Sequence, residues 1–198
     1  MAAQVNLRKS VVSGQFYPSN AEGLITLIAS FADKRAQKID CLGAVLPHAG
    51  YIYSGRVATQ TVSGIKIKEN VVLLGPNHTG QGAVFSLMTQ GSWQTPLGEV
   101  EINSKLAGLF LKKCRYLEND VLAHLDEHSL EVELPIIQYF SQDFKIVPIA
   151  MMTDDLSRLS EVAQSLAEVI IENNLKSSTL LIASSDMTHY ESQKSAQR

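Results

Sequence analysis

Four short, continuous apolar segments most constrain the fold of this 198-residue chain. They lie at residues 42–48, 71–75, 145–152 and 178–186. Between them the sequence shows helical periodicity, at 20–36, 54–65, 103–114, 129–141 and 155–174. Strands that are apolar throughout are typical of a parallel sheet covered on both faces by crossover helices. The sequence therefore predicts an α/β fold with a mostly parallel central sheet flanked by helices, interrupted by an antiparallel excursion over 83–102.

The composition indicates one ordinary globular domain and excludes several kinds of partner. Hydrophobic residues make up 45% of the chain, charged residues 19%, and the net charge is −3. This balance offers no basic surface for nucleic acid or a membrane, and no apolar run approaches the ~18 residues of a membrane span. Two scattered cysteines and the lack of a leader-like N-terminus favour a cytoplasmic protein. Because the chain stops soon after its last motif, we expect a single domain over 1–198 that lacks its C-terminal part.

Polar side chains follow three of the predicted strands. His48 ends the first apolar segment, His78 comes shortly after the second, Asp186 ends the last one and His189 follows it. Ligands of open α/β sheets bind beyond the carboxyl ends of the strands, and imidazole nitrogens placed there suit a divalent metal. Asp186 would orient the His189 ring as an acid–base group. The alternatives are that each histidine only hydrogen-bonds its own turn and that Asp186 caps a helix.

The segment 123–135 permits two interpretations. Residues 124–128, His-Leu-Asp-Glu-His, match the H-x-x-E-H pattern of inverted zinc peptidases, in which His124 and His128 would bind zinc and Glu127 would act as base. That pattern requires a continuous helix. Alternatively, Glu127, His128 and Glu131 mark the start of a helix, where acidic side chains complement the helix dipole.

Five ordered segments resemble the signatures of the Memo family, whose prokaryotic members are called AmmeMemoRadiSam system protein B. The segments are LPHAGYIYSG (46–55), LLGPNHTG (73–80), TPLGEVEI (95–102), DEHSLEVELP (126–135) and SSDMTHY (184–190). Their order is that of the family, and together they span most of the chain. The resemblance implies the fold of class III extradiol dioxygenases, which are non-haem iron enzymes.

The resemblance also implies a site for iron or copper held by His48 and His78. Family members complete this site with a C-terminal cysteine, which has no counterpart in this chain. His189 is implied as the acid–base group, with Asp186 beside it. We expect the same cleft to be lined by Tyr51, Asn77, Glu127, His128 and Glu131.

Three functions are consistent with these residues. The first is a metal-dependent, dioxygenase-like redox enzyme that acts on an unknown substrate. The second is a non-enzymatic module that binds a small molecule or peptide in the same cleft, because a fold alone does not confer activity. The third is a zinc peptidase built on residues 124–128.

Overall fold

A computed structural model describes residues 7–188 and 191–197 of the chain. The strands within these residues are β1 Leu7–Arg8, β2 Gly43–Leu46, β3 Asn70–Pro76, β4 Phe85–Leu87, β5 Ser92–Thr95, β6 Gly98–Glu101, β7 Glu118–Asn119, β8 Lys145–Met151 and β9 Thr179–Ser184. The α-helices are α1 Ala21–Phe31, α2 Arg56–Ser63, α3 Ser104–Lys113, α4 Leu122–Leu125, α5 Glu133–Phe140, α6 Leu156–Glu172 and α7 Gln193–Ala196. A π-helical turn, Tyr51–Gly55, leads into α2.

The main sheet has the strand order β2-β9-β3-β8-β4-β7. The strands β2, β9, β3 and β8 are parallel neighbours, whereas β4 runs antiparallel to β8 and β7 runs parallel to β4. The central strands β3 and β8 are buried along most of their length, as their apolar sequences predict. The prediction of an α/β fold with a mostly parallel sheet is therefore confirmed, and the sheet is mixed because of its β4–β7 edge.

A smaller sheet with the order β1-β5-β6 lies beside the main one. The strands β5 and β6 form an antiparallel hairpin in which Trp93 pairs with Val100, and β1 adds to it in parallel. The antiparallel excursion predicted over 83–102 is thus present. Its first strand, β4, instead joins the main sheet.

Helices flank the main sheet in two groups: α1, α2 and α5 pack together, and α3 packs against α6. Asp155 caps α6 by accepting hydrogen bonds from the backbone N–H groups of its first turn. The apolar stripe of α6 is buried at Val162, Leu166, Val169 and Ile170. Leu156 shares this periodicity but is 77% exposed in the first turn. No helix in the described ranges combines the length and the apolar character needed to cross a membrane.

Candidate metal centre

The carboxyl ends of three neighbouring parallel strands bring His48, Asp186 and His78 to one edge of the main sheet. β9 lies between β2 and β3, and Leu46 at the end of β2 is in register with Ser184 at the end of β9. The residues that follow these strands therefore share one edge. The ring centroids of His48 and His78 lie 5.3 Å apart. The strand-end positions predict this arrangement of His48, His78 and Asp186.

A third imidazole, that of His128, reaches the same place from the loop between α4 and α5. Its ring stacks on His78 at 4.7 Å and lies 5.9 Å from His48, with Phe16 against its edge at 4.9 Å. A hydrogen bond from Ser129 attaches this loop to the end of β3. The hydroxyl of Ser129 donates to the carbonyl of Pro76 at 2.7 Å. This hydrogen bond from a side chain to the backbone holds the loop that carries His128 against the sheet edge.

Glu127 is buried behind His78 and fixes the orientation of that ring. Its Oε1 accepts from His78 Nδ1 at 2.9 Å and from the backbone N–H groups of His128 and Ser129, while its Oε2 accepts from the His78 backbone. Burial by itself would raise the pKa of Glu127, but the hydrogen bonds from His78 and Ser129 hold it below the ordinary value. The carboxylate is therefore ionised, His78 carries its hydrogen on Nδ1, and the Nε2 lone pair is left for a ligand.

His48 is held by two residues at the end of β9. Its backbone N–H donates to Asp186 Oδ1 at 2.8 Å, and its Nδ1 lies 2.8 Å from the hydroxyl oxygen of Ser184. The distance from His48 Nε2 to Asp186 Oδ2 is 3.7 Å, which is longer than a hydrogen bond. Nδ1 is therefore the nitrogen with a close partner.

Burial keeps the imidazoles of His48 and His128 neutral. It lowers the pKa of His48, an effect that Asp186 opposes and that the neighbouring rings of His78 and His128 reinforce. Burial likewise lowers the pKa of His128, opposed by Glu127 and reinforced by His78. Neutral rings have a nitrogen lone pair, which is the form that binds metals.

The three imidazoles open into a cleft of about 420 Å³. Its other described lining residues are Gln15, Phe16, Ala49, Gly50, Ile52, Tyr53 and Asp186. Ile52 and Tyr53 are 78% and 79% exposed and form an apolar flank. A larger depression, of about 640 Å³, surrounds Asp40 and Lys68. The charged groups of Lys68 and Asp40 pair with each other at 2.9 Å. The larger volume of this depression therefore does not by itself make it the functional site.

The donor atoms at the cleft suit a transition metal. Ligand atoms of His78, Glu127 and His128 all lie within 4.8 Å of one another. Because the oxygens of Glu127 already accept four N–H groups, Glu127 fits an orienting position behind His78 better than a direct bond to a metal. The nitrogens of His48, His78 and His128 could then offer a donor set, and imidazole donors suit iron, copper, zinc or nickel.

Comparison with known proteins identifies the family of this chain. The family model described as "Memo-like protein" matches residues 8–198. This chain belongs to the Memo family. It is 40% identical to a MEMO1 family protein of Methanopyrus kandleri over 205 residues, which cover 96% of this chain and 72% of the relative. Corresponding proteins of Methanosarcina acetivorans (41% identity; 97% and 71% covered) and Thermotoga maritima (38% identity; 96% and 73% covered) are similarly related.

In this Memo-family chain, several of the predicted site residues come together and one cannot be placed. His48, His78, His128 and Asp186 all line the cleft, and Glu127 supports it from behind. The predicted acid–base residue His189 lies outside the described residues.

Three predicted cleft residues are engaged elsewhere. Tyr51 is buried and its hydroxyl donates to the carbonyl of Val132 at 2.6 Å. Asn77 folds back on its own turn, where its amide donates to the carbonyl of Gln81 and its oxygen accepts from Thr79. Glu131 is buried in an ion pair with Arg8. None of the three lines the cleft, because each satisfies its polar atoms within the protein.

The peptidase interpretation of residues 124–128 is wrong. The pattern requires one helix that presents both histidines to one ion, but α4 ends at Leu125, and Glu127 and His128 lie in the following loop. The His124 ring is fully buried against Trp93, at 5.8 Å between ring centroids. Burial lowers the pKa of His124 to about 4, so this ring is neutral and away from the cleft.

Two further residues behind His48, Ser184 and Glu133, match no site motif in the sequence. Ser184 ends β9 and its hydroxyl contacts His48. The strand-end reasoning that selected Asp186 applies equally to Ser184. Glu133 gives no such signal, since an acidic residue in the first turn of a helix usually faces solvent.

Proposed function

We propose that the cleft of this Memo-family protein binds a divalent transition metal, iron or copper, and supports dioxygenase-like redox chemistry. The observation that carries the proposal is the convergence of His48, His78 and His128 with centroid separations of 4.7–5.9 Å. Two of these rings are kept neutral by burial. A histidine-rich site of this kind has the ligand preference of iron and copper proteins.

The surrounding residues suit a metal site because they orient the ligands from outside. Ionised Glu127 holds Nδ1 of His78, and the end of β9 holds His48. Such outer partners fix the tautomer and ring orientation of metal-binding histidines. A bound metal would supply Lewis-acid and redox chemistry. Phe16 and Ile52 add apolar surface to the lining of the cleft.

Metal titration under anaerobic conditions tests this proposal. Fe(II) or Cu is titrated into the protein and into the variants His48→Ala, His78→Ala and His128→Ala, with bound metal measured by elemental analysis. We expect one metal per chain, with binding lost or greatly weakened in each variant. His124→Leu is the matched control, because it removes a histidine outside the cleft. Unchanged stoichiometry in both His48→Ala and His78→Ala would refute the proposal.

A second function is favoured by the apolar flank of the cleft. Ile52 and Tyr53 expose large side chains to solvent beside the imidazoles, and a module that binds a peptide or small ligand would use such a surface. This function predicts binding that survives His48→Ala/His78→Ala but is lost in Ile52→Ser/Tyr53→Ser. Chemical-shift changes on addition of a panel of short aromatic peptides would measure it. Loss of binding in the histidine variant would instead favour the metal-dependent function.

A further inference from the structure

The Ser184 hydroxyl lies at the centre of a buried polar network beneath His48. Its oxygen is 2.8 Å from His48 Nδ1, 2.7 Å from the carbonyl oxygen of Ser129 and 3.1 Å from Glu133 Oε1. Ser184 is itself buried at the end of β9. Through Ser184, these contacts connect the His48 ring to the carboxyl group of Glu133, which lies in the first turn of α5.

The numbers of donors and acceptors determine where the hydrogens lie. A serine hydroxyl has one hydrogen to donate and two lone pairs that accept. The carbonyl of Ser129 can only accept, so its 2.7 Å contact uses the single hydrogen of Ser184. The two remaining groups must then donate to Ser184. His48 can do so only with its hydrogen on Nδ1, and Glu133 only if its carboxyl group is protonated.

The surroundings of Glu133 favour the protonated acid. Burial raises the pKa of Glu133 well above its ordinary value; the contact with Ser184 opposes this rise, and the charge of Asp186 adds to it. The other oxygen, Oε2, is buried and has no hydrogen-bond partner among the described residues. An ionised carboxylate left unpaired in this position would be far more costly than a neutral acid. The hydrogen-bond count and the burial therefore lead to the same protonation state.

We propose that Ser184 and neutral Glu133 are positioning residues that hold His48 in the tautomer with hydrogen on Nδ1 and its Nε2 lone pair free. His78 reaches the same tautomer by a different means, because its Nδ1 donates to ionised Glu127. The two histidines therefore differ in their outer partners: an ionised carboxylate lies behind His78, whereas His48 has only a neutral hydroxyl behind it. The use of Nε2 as a ligand rests on the proposed metal-binding function, but the tautomer does not.

The tautomer is measured on metal-free protein by long-range proton–nitrogen correlation NMR of labelled histidine at neutral pH. We expect the Nδ1–H pattern for His48 in the unchanged protein and in Glu133→Gln, whose amide also donates. Ser184→Ala should convert the ring to a mixture or to Nε2–H. Ser86→Ala is the matched control, since Ser86 is a buried serine on β4 that donates to the Asp120 carbonyl. An Nε2–H pattern for His48 in the unchanged protein would overturn the inference.

The protonation of Glu133 has its own measurement. A protonated carboxylic acid gives an infrared carbonyl band distinct from that of a carboxylate. We expect such a band at neutral pH that disappears in Glu133→Gln and in Glu133→Leu. If neither variant loses a protonated-acid band relative to the unchanged protein, the neutral state of Glu133 is contradicted. If Glu133→Leu does not fold, Glu133→Gln still gives this comparison.

Measured metal affinities distinguish a failure of this inference from a failure of the proposed metal-binding function. We expect Ser184→Ala to weaken Fe(II) or Cu binding about 10- to 100-fold, the usual effect of removing an outer partner of a ligand histidine. Glu133→Leu should also weaken binding, and Glu133→Gln should restore it. An Nδ1–H tautomer together with no metal binding would support the inference and refute the proposed function. Metal binding with equal affinity in Ser184→Ala, together with an unchanged His48 tautomer in that variant, would refute the inference and leave the function standing.

Discussion

Arg8 joins strand β1 to the loop that carries Glu127 and His128 through buried hydrogen bonds. Its replacement by methionine should destabilise the protein severely. The guanidinium is buried. Its Nη1 pairs with Glu131 Oε2 at 2.5 Å, and its Nε and Nη2 donate to the carbonyls of His124 and Glu127. It also stacks over Trp93 at 4.4 Å. Methionine keeps much of the apolar stem but none of these hydrogen bonds.

The expected loss follows from what Arg8→Met leaves behind. Glu131 would remain buried with donors from Tyr17 and from the backbone of Val11 and Val12, but without a cation. Burial and the Glu131 charge raise the pKa of Tyr17 above its ordinary value, so its hydroxyl remains a donor and cannot neutralise the carboxylate. Removing one partner of a buried ion pair costs about 3–5 kcal/mol. That is a large share of the roughly 5–15 kcal/mol that stabilises a typical domain.

Urea unfolding followed by circular dichroism measures this loss as a change in the free energy of unfolding. The double variant Arg8→Met/Glu131→Leu should recover part of it, because the unpaired charge is removed. Arg115→Met is the matched control: Arg115 pairs with Glu161 at 2.7 Å but its side chain is 71% exposed, and we expect a much smaller loss than in Arg8→Met. A loss in Arg8→Met no larger than in this control would refute the reasoning.

Two further predictions concern stability. The folded pKa of His124 is about 4, below its ordinary value of 6.5. As pH falls, the His124 ring therefore takes up a proton at a higher pH in the unfolded chain than in the folded one. The free energy of unfolding should fall by up to about 3 kcal/mol as pH drops from 6.5 to 4. In His124→Leu, the urea midpoint of unfolding should change less over this pH range. An unchanged dependence of the midpoint on pH would contradict the prediction. Gly82 has a φ of +78°, and an added Cβ would lie 2.2 Å from Asp120 Oδ2 and 2.6 Å from the Ala123 nitrogen. Gly82→Ala should lower the thermal midpoint, whereas Gly108→Ala, where a Cβ meets no atom within 4 Å, should not; equal midpoints would contradict the prediction.

Much of the sheet and part of the site could be predicted from the sequence. The apolar segments that became β2, β3, β8 and β9 are strong local signals, because strands buried on both faces need apolar residues throughout. His48 and His78 were found through their position just after such strands. The loop residues could not be placed in this way. Tyr51 and Glu131 have sequence neighbours that suit a cleft, yet internal hydrogen bonds turn both away from it.

The segment 124–128 shows why a local pattern can mislead. Its spacing matches a metal motif only if the backbone is one continuous helix. Instead α4 ends after Leu125, and the side chain of Glu127 accepts from His78, which is 49 residues earlier in the chain. Such long-range hydrogen bonds leave no periodic signal in the sequence. The same holds for Ser184 and Glu133, which are 51 residues apart.

The sequence by itself determined the alternation of strands and helices and the positions of His48, His78 and Asp186 at strand ends. These features depend on hydrophobic periodicity and turn residues, which act over a few neighbouring positions. Only the tertiary structure decided that the His128 ring stacks on His78 while His124, four residues earlier, is buried beside Trp93. The physical reason is that the loop takes its course from buried hydrogen bonds to Arg8, Pro76 and His78. Those partners come together only when the strands that carry them are paired.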